Sequence, residues 1–187
     1  MTVKHNLTVE DYEAMPDDGK RYEVLAGELY EMAAPTLFHQ RVSKRLQRQL
    51  EAFFERNGLA EVFDAPVDVV LSRHDVAQPD IVVVPVPLQF SRRAIEDLPL
   101  LVVEVLSPSS RKHDLERKAG RYLELGILHY WVLDPDERSL VCRKAAGDRY
   151  VSVAQGRERE HVCDPEWPAL VIDLAALWPD VEAAASA

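Results

Sequence analysis

The segment LLVVEVL at residues 100–106 constrains the fold of this chain more than any other. Apolar runs of this kind are typical of strands that are buried on both faces. Glu104 lies within the run, where an isolated carboxylate would be very costly. Buried carboxylates are paired, protonated or bound to a metal, so the chain has to supply Glu104 with a partner.

A second apolar strand is predicted in QPDIVVV at residues 78–84, and Asp80 opens it at the edge of the core. If the two strands are neighbours, Asp80 and Glu104 converge on one site. Two carboxylates with free water positions suit Mg²⁺ or Mn²⁺, which could activate a water molecule against a phosphoryl group. Alternatively, Asp80 is a turn or cap residue, and Glu104 pairs with a buried Arg or Lys or lies on an exposed edge.

A lysine on a predicted helix is the third candidate. Asp114, Lys118 and Tyr122 are spaced by four residues, so they share one helix face. The alternative is a surface ion pair between Asp114 and Lys118, worth about 0.2–0.5 kcal/mol. Beside two metal-binding carboxylates, Lys118 could instead orient the attacking water and stabilise the charge of the transition state.

The hydrophobic pattern predicts one α/β (α+β) domain over residues 1–187, with a core from about 8 to 178. We expect a mixed β-sheet flanked by α-helices. Val42, Leu46, Leu50 and Phe53 form the apolar stripe of a long helix. The predicted helices span about 8–16, 36–57 and 110–125, and the predicted strands span 21–25, 28–32, 67–71, 80–84, 101–106, 129–133, 139–143 and 150–153.

The formal net charge of −10 argues against a protein that coats nucleic acid through bulk electrostatics, but it leaves room for a nuclease with a local basic face. Such a face is predicted on the long helix, where Arg41, Lys44, Arg45 and Arg48 cluster. These side chains could contact phosphates, or they could form a solvated helix face.

The two cysteines have no CxxC spacing, which makes a structural zinc site or a disulfide scaffold unexpected. Neither a membrane span nor the basic-then-apolar order of a signal peptide is present, so we expect a cytoplasmic protein.

Several motifs together resemble the Uma-type putative restriction endonuclease family of the PD-(D/E)XK nuclease superfamily. The similarity runs from about Thr8 to Trp178. The motifs that carry it are RYEVLAGE at 21–28, His39, QPDI at 78–81, VEVLSPSS at 103–110, Asp114, Lys118, Tyr122 and YWVLDP at 130–135.

The resemblance implies a restriction-endonuclease-like core, a four-stranded mixed sheet flanked by helices. It implies that Asp80 and Glu104 are the acidic site residues and adds Glu23 as a further site acid. The superfamily lysine position is occupied by Leu106 here, and the family's usual substitute is a lysine on the next helix, which matches Lys118.

His39 also matches a recurring family position, at the start of the long helix, and we expect it to bind the substrate together with Arg41, Lys44 and Arg45. Both residues that the resemblance brings in have simpler explanations. Glu23 could pair with Arg21 or Lys20 on a strand surface. His39 could be a helix N-terminal residue satisfied by hydrogen bonding.

The favoured hypothesis is a Mg²⁺- or Mn²⁺-dependent endonuclease that cleaves DNA. Asp80, Glu104 and the Val105 carbonyl would bind the ion, Lys118 would position water, and Glu23 would bind a second ion or a metal-bound water. A homodimer would bring two sites to the two strands of a duplex. The alternatives are a catalytically silent module that binds nucleic acid or protein, and a phosphodiesterase for RNA or nucleotides.

Overall fold

The computed structural model describes residues 6–91 and 94–178, which form a mixed α/β fold. The helices are α1 Val9–Glu13, α2 Leu37–Phe54 and α3 Ala119–Glu124, and a π-helical turn, His113–Lys118, leads directly into α3. The strands are β1 Arg21–Leu25, β2 Glu28–Met32, β3 Ala60–Asp64, β4 Asp68–Ser72, β5 Asp75–Ala77, β6 Ile81–Pro85, β7 Ala94–Ile95, β8 Leu101–Val105, β9 His129–Asp134, β10 Ser139–Ala146, β11 Arg149–Arg157, β12 His161–Cys163 and β13 Val171–Asp173.

The strands form two larger sheets and one small ribbon. The six-stranded sheet has the order β11-β10-β9-β8-β6-β3, and the five-stranded sheet has the order β2-β1-β5-β4-β7. Within the six-stranded sheet only β8 and β9 run parallel. The helical segment 106–128 connects β8 to β9, as parallel strands require a crossover.

Strands β6 and β8 are buried on both faces, as their apolar runs predict. Ile81 and Val83 belong to one hydrophobic cluster, whereas Val82 and Val84 belong to the cluster on the opposite face. This alternation follows from the two-residue period of a strand. Glu104 is 2% exposed in the middle of β8, so its carboxylate has to be satisfied inside the protein.

Helix α2 covers one face of the six-stranded sheet with the predicted stripe. Val42, Leu46 and Leu50 are fully buried, but Phe54 completes the stripe and Phe53 is only partly buried. Ser43 and Gln47 are buried as well, so the buried face of α2 is centred nearer to Phe54 than to Phe53. No helix in the described ranges is long and apolar enough to cross a membrane.

The main differences from the sequence prediction concern sheet composition. The six-stranded sheet is the predicted mixed sheet, but the strands also form a separate five-stranded sheet and a ribbon, which the sequence did not predict. Strands β3, β5, β7, β12 and β13 were not predicted; four of them have two or three residues, which is too short for a periodic pattern. They exist because neighbouring strands supply their hydrogen bonds.

Candidate active site

Two neighbouring antiparallel strands bring Asp80 and Glu104 together. Ile81 of β6 pairs with Val103 of β8, and the next step of this register sets Asp80 opposite Glu104. Residues opposite each other in a ladder project to the same face. The Val105 N–H donates to Asp80 Oδ2 over 2.8 Å, which fixes the aspartate beside its partner strand. The neighbouring strands required by the sequence argument are therefore present.

Lys118 joins Glu104 to Glu23 of β1. Its Nζ atom lies 3.0 Å from Glu104 Oε1 and 2.8 Å from Glu23 Oε1. All three side chains are buried, and Lys118 is 1% exposed. Glu23 does not make the surface pairs considered above, since Lys20 pairs with Glu31 instead. The structure thus brings the resemblance-derived Glu23 into the same cluster as Glu104 and Lys118.

The helix face predicted from four-residue spacing points into this cluster. Tyr122 donates its hydroxyl to Glu104 Oε1 over 3.0 Å. Asp114 Oδ1 lies 3.9 Å from Lys118 Nζ, and both residues are buried, so the alternative of a surface ion pair is wrong. The π-helical turn was not predicted; such turns add a residue to a helix and frequently occur at functional sites.

The main chain also holds the cluster. The Gln78 N–H donates to Glu23 Oε1 over 2.7 Å. Sequence reasoning missed this role, because a main-chain donor leaves no signal in residue type. The prediction used Asp114 and Tyr122 as markers of helix spacing and of the family resemblance and gave them no site role, although both contact the cluster.

Protonation differs among the buried carboxyl groups. Burial raises the pKa of Glu104 well above its ordinary value, and the nearby carboxylates add to this shift while Lys118 opposes it. Burial also raises the pKa of Asp114. For Glu23, burial is outweighed by Lys118 and by hydrogen bonds, so its pKa lies below the ordinary value. Burial would lower the pKa of Lys118, but the surrounding carboxylates raise it, and the ammonium stays charged.

His39 lies beside Asp80 at the start of α2. Its Nε2 atom is 2.8 Å from the Val105 carbonyl oxygen and 3.3 Å from Asp80 Oδ2, so a proton on Nε2 can serve both acceptors. Burial would lower the pKa of His39, but the bond to Asp80 raises it overall. His39 is therefore more than a helix N-terminal residue, because its ring holds both the aspartate and the adjacent strand.

The site is lined by oxygen atoms that suit a hard divalent cation. Glu23 Oε2 and Asp114 Oδ1 are buried without a hydrogen-bond partner, and Asp80 and Glu104 both border the open cleft. Within residues 6–91 and 94–178, however, no three His, Cys, Asp or Glu side chains are arranged to hold a metal ion. Asp80 and Glu104 by themselves offer carboxylate oxygens of the kind that hard divalent cations bind.

Two connected hollows surround the site. The acidic cleft encloses about 220 Å³ and is bordered by Asp80, Glu104, Asp114 and Lys118. The helix groove encloses about 430 Å³ along α2 and includes Arg41 and Lys44. Arg21, His39 and Asp80 border both hollows.

The residues of the predicted basic face of α2 do not all border the helix groove. Arg41 and Lys44 border the helix groove, where Lys44 Nζ lies 3.9 Å from Asp64 Oδ2. Arg45 does not border the groove, since its Nη1 donates to the Leu177 carbonyl oxygen over 3.2 Å. Arg45 therefore anchors the end of the described chain.

Comparison with known proteins agrees with this architecture. The profile of the Uma2 family, described as "Putative restriction endonuclease", matches residues 9–175. A crystal structure of "a putative nuclease belonging to DUF820" from Anabaena variabilis ATCC 29413 superimposes with a TM-score of 0.72. That match has 17% sequence identity and covers 91% of this chain and 97% of the other, and identity this low shows a shared fold. No curated protein matches the chain.

Proposed function

The chain belongs to the Uma2 family, and on this premise we propose that it is a divalent-metal-dependent endonuclease that hydrolyses DNA phosphodiester bonds. The observation that carries the proposal is the juxtaposition of Asp80 and Glu104 across β6 and β8, with Lys118 Nζ 3.0 Å from the glutamate. Two carboxylates and a charged lysine in an open cleft are the groups that phosphodiester hydrolysis needs.

Asp80 and Glu104 would hold a Mg²⁺ or Mn²⁺ ion. When bound, such an ion polarises a phosphoryl oxygen and lowers the pKa of a coordinated water. The Val105 carbonyl, a third ligand in the sequence hypothesis, already accepts a hydrogen bond from His39 and has one lone pair left. His39 therefore keeps Asp80 and the end of β8 in register.

Lys118 would act on the substrate with the donor that its partners leave free. An ammonium group has three N–H donors, and those of Lys118 reach Glu23 and Glu104 at 2.8 and 3.0 Å. The third can donate to the attacking water or to a non-bridging phosphate oxygen. Glu23 is fully buried, so in this proposal it holds the ammonium in place instead of binding a second ion.

The proposal predicts cleavage of supercoiled plasmid and of single-stranded DNA with Mg²⁺ or Mn²⁺ present, and none in EDTA. Asp80→Ala should reduce the cleavage rate by at least about 100-fold, since it removes a metal ligand. Agarose-gel rates of wild type and variant at matched purity measure the effect.

Asp148→Ala is the matched control, because Asp148 is an exposed acid in the turn between β10 and β11. This variant should cleave at the wild-type rate. Cleavage that persists in Asp80→Ala would show that the activity arises at another site or in a contaminant. RNA of the same sequence, tested in parallel, separates a DNA endonuclease from an RNA phosphodiesterase.

One observation favours a second candidate, a silent module that binds nucleic acid or protein. Lys118 already pairs with both Glu23 and Glu104, and the described residues contain no preformed three-ligand metal cluster. A cluster satisfied by internal pairing can persist without any metal.

Metal-dependent thermal stabilisation separates the two candidates. For the endonuclease, Mn²⁺ at about 100 times its Kd should stabilise the folded state by about 2.7 kcal/mol, which raises Tm by about 5–10 °C in a protein of this size. Asp80→Ala should abolish the shift. An equal Tm with Mn²⁺ and with EDTA in the wild type would favour the silent module. Differential scanning fluorimetry gives both values.

A further inference from the structure

Arg21 lies where all the hollows around the site meet. It borders the acidic cleft, the helix groove and a third hollow of about 390 Å³ that Tyr12 and Asp68 also line. Arg21 and Glu23 are two residues apart on β1, so both side chains project from the same face of the strand. Glu23 is fully buried within the cluster, whereas Arg21 is only partly buried at its mouth.

A hydrogen-bonded network fixes one edge of the Arg21 guanidinium. Arg21 Nε donates to Gln78 Oε1 over 2.9 Å, and Gln78 Nε2 donates to Asp68 Oδ1 over 2.7 Å. Because a carboxylate only accepts, it sets the orientation of the Gln78 amide and directs the amide oxygen at Arg21. The Tyr12 hydroxyl donates to the same Asp68 oxygen over 2.9 Å.

The other edge of the Arg21 guanidinium carries the two Nη groups. Among the residues that the structure describes, neither Nη atom of Arg21 has a hydrogen-bond or ion-pair partner. A guanidinium held through Nε with both Nη groups open presents two parallel donors, the arrangement that binds a phosphate in bidentate fashion.

The negative charge of the acidic cleft means that a polyanionic substrate needs a compensating cation there, and Arg21 is the candidate. Asp80, Glu104 and Asp114 border the cleft, and a polyanion approaching them is repelled unless positive groups compensate. Lys118 is already paired with two carboxylates, and His39 is bonded to Asp80 and to the Val105 carbonyl oxygen. Of the cationic side chains bordering the cleft in the described ranges, Arg21 alone is paired with no carboxylate.

We propose that Arg21 binds the substrate phosphate next to the scissile one, at the junction where the DNA strand passes from the acidic cleft into the helix groove. This inference rests on the proposed function and adds a residue that sets the path of the strand. Arg41 and Lys44 lie further along the same groove and continue that path. Gln78 and Asp68 are positioning residues in this proposal, because they orient the guanidinium through hydrogen bonds.

The test measures binding of a fluorescein-labelled single-stranded DNA 12-mer by anisotropy, with Ca²⁺ present and over a range of NaCl concentrations. Arg21→Ala should weaken binding about 10-fold or more and lower the slope of log K against log[salt] by about 1, as expected for one lost phosphate contact. Arg21→Lys should keep the slope but bind more weakly, since a lysine cannot make the bidentate contact.

Lys20→Ala is the matched control. Lys20 precedes Arg21 on the chain, carries the same charge and pairs with the exposed Glu31 over 2.8 Å. It should change affinity less than twofold. Equal effects of Lys20→Ala and Arg21→Ala, or an Arg21→Ala variant that binds like the wild type and only melts earlier, would overturn the proposal.

Binding and cleavage measured together distinguish a failure of the Arg21 proposal from a failure of the nuclease proposal. A wild type that binds and cleaves while Arg21→Ala binds equally well rejects only the role of Arg21. A wild type that binds without cleaving, with affinity lost in Arg21→Ala, supports the phosphate site and rejects the endonuclease. A wild type that binds no oligonucleotide rejects both.

Discussion

Asp75→Ala is expected to lower the free energy of unfolding by about 3 kcal/mol, because it removes a buried carboxylate that ties three elements together. Asp75 of β5 is fully buried, and Arg121 of α3 grips both of its oxygens, through Nε at 2.8 Å and Nη2 at 2.7 Å. Oδ1 also accepts from the Ala26 N–H in the β1–β2 turn over 2.7 Å. Without Asp75 this N–H loses its partner.

The control uses the second partner of the same arginine. Arg121 Nη1 lies 2.7 Å from Glu124, whose side chain is 66% exposed. Glu124→Gln should change stability by no more than about 0.5 kcal/mol, since exposed ion pairs contribute little. Urea unfolding of wild type and both variants measures the difference. Equal effects of the two substitutions would contradict the structural role assigned to Asp75.

The same pair predicts a pH dependence. Burial would raise the pKa of Asp75, but the Arg121 guanidinium and the hydrogen bonds from Ala26 and Ser72 hold it below its ordinary value. A carboxyl with a depressed folded-state pKa stabilises fully above its unfolded pKa of about 3.9, and this contribution is lost as pH falls towards the folded-state value. The stability difference between wild type and Asp75→Asn should be constant from pH 5 to 8 and shrink below about pH 4.

Sequence patterns predicted the structure best where a short segment is compatible with few arrangements, such as an apolar strand that carries one carboxylate. The apolar runs of β6 and β8 each carry one carboxylate, which predicted that Asp80 and Glu104 would converge if the strands were neighbours, and the structure pairs these strands. The position of Lys118 followed from its helix spacing and from the family resemblance. These features depend on local sequence periods, and the structure retains them.

Features that arise from tertiary contacts could not be predicted in the same way. The π-helical turn and strand β5 depend on hydrogen bonds and packing contacts with neighbouring elements, and no residue pattern in the sequence predicts them. Arg45 shares its sequence cluster with Arg41 and Lys44, yet the Leu177 carbonyl binds it. A pattern of charged residues predicts a basic face on a helix. Which of its basic side chains border a groove depends on the segments that pack against that helix.

Lys118→Met is expected to have the largest combined effect of any single substitution in the cluster. It leaves Glu23 and Glu104 buried without their cation, which should lower the free energy of unfolding by about 3–5 kcal/mol. If Lys118 donates to the reacting groups, cleavage should also fall by at least about 100-fold. Urea unfolding and plasmid cleavage measure the two effects separately.

The double variant Lys118→Met/Glu23→Gln distinguishes a structural lysine from a reacting one. Replacing Glu23 removes one buried charge together with the lysine, so much of the lost stability should return, because the remaining Glu104 can take up a proton. Tyr122→Phe serves as the mild control; it removes one donor to Glu104 and should cost about 1–2 kcal/mol. If Lys118 meets the substrate, the double variant is stable and inactive. If cleavage returns with stability, Lys118 only compensates the charge of the buried carboxylates, and the catalytic donor is another residue of the acidic cleft.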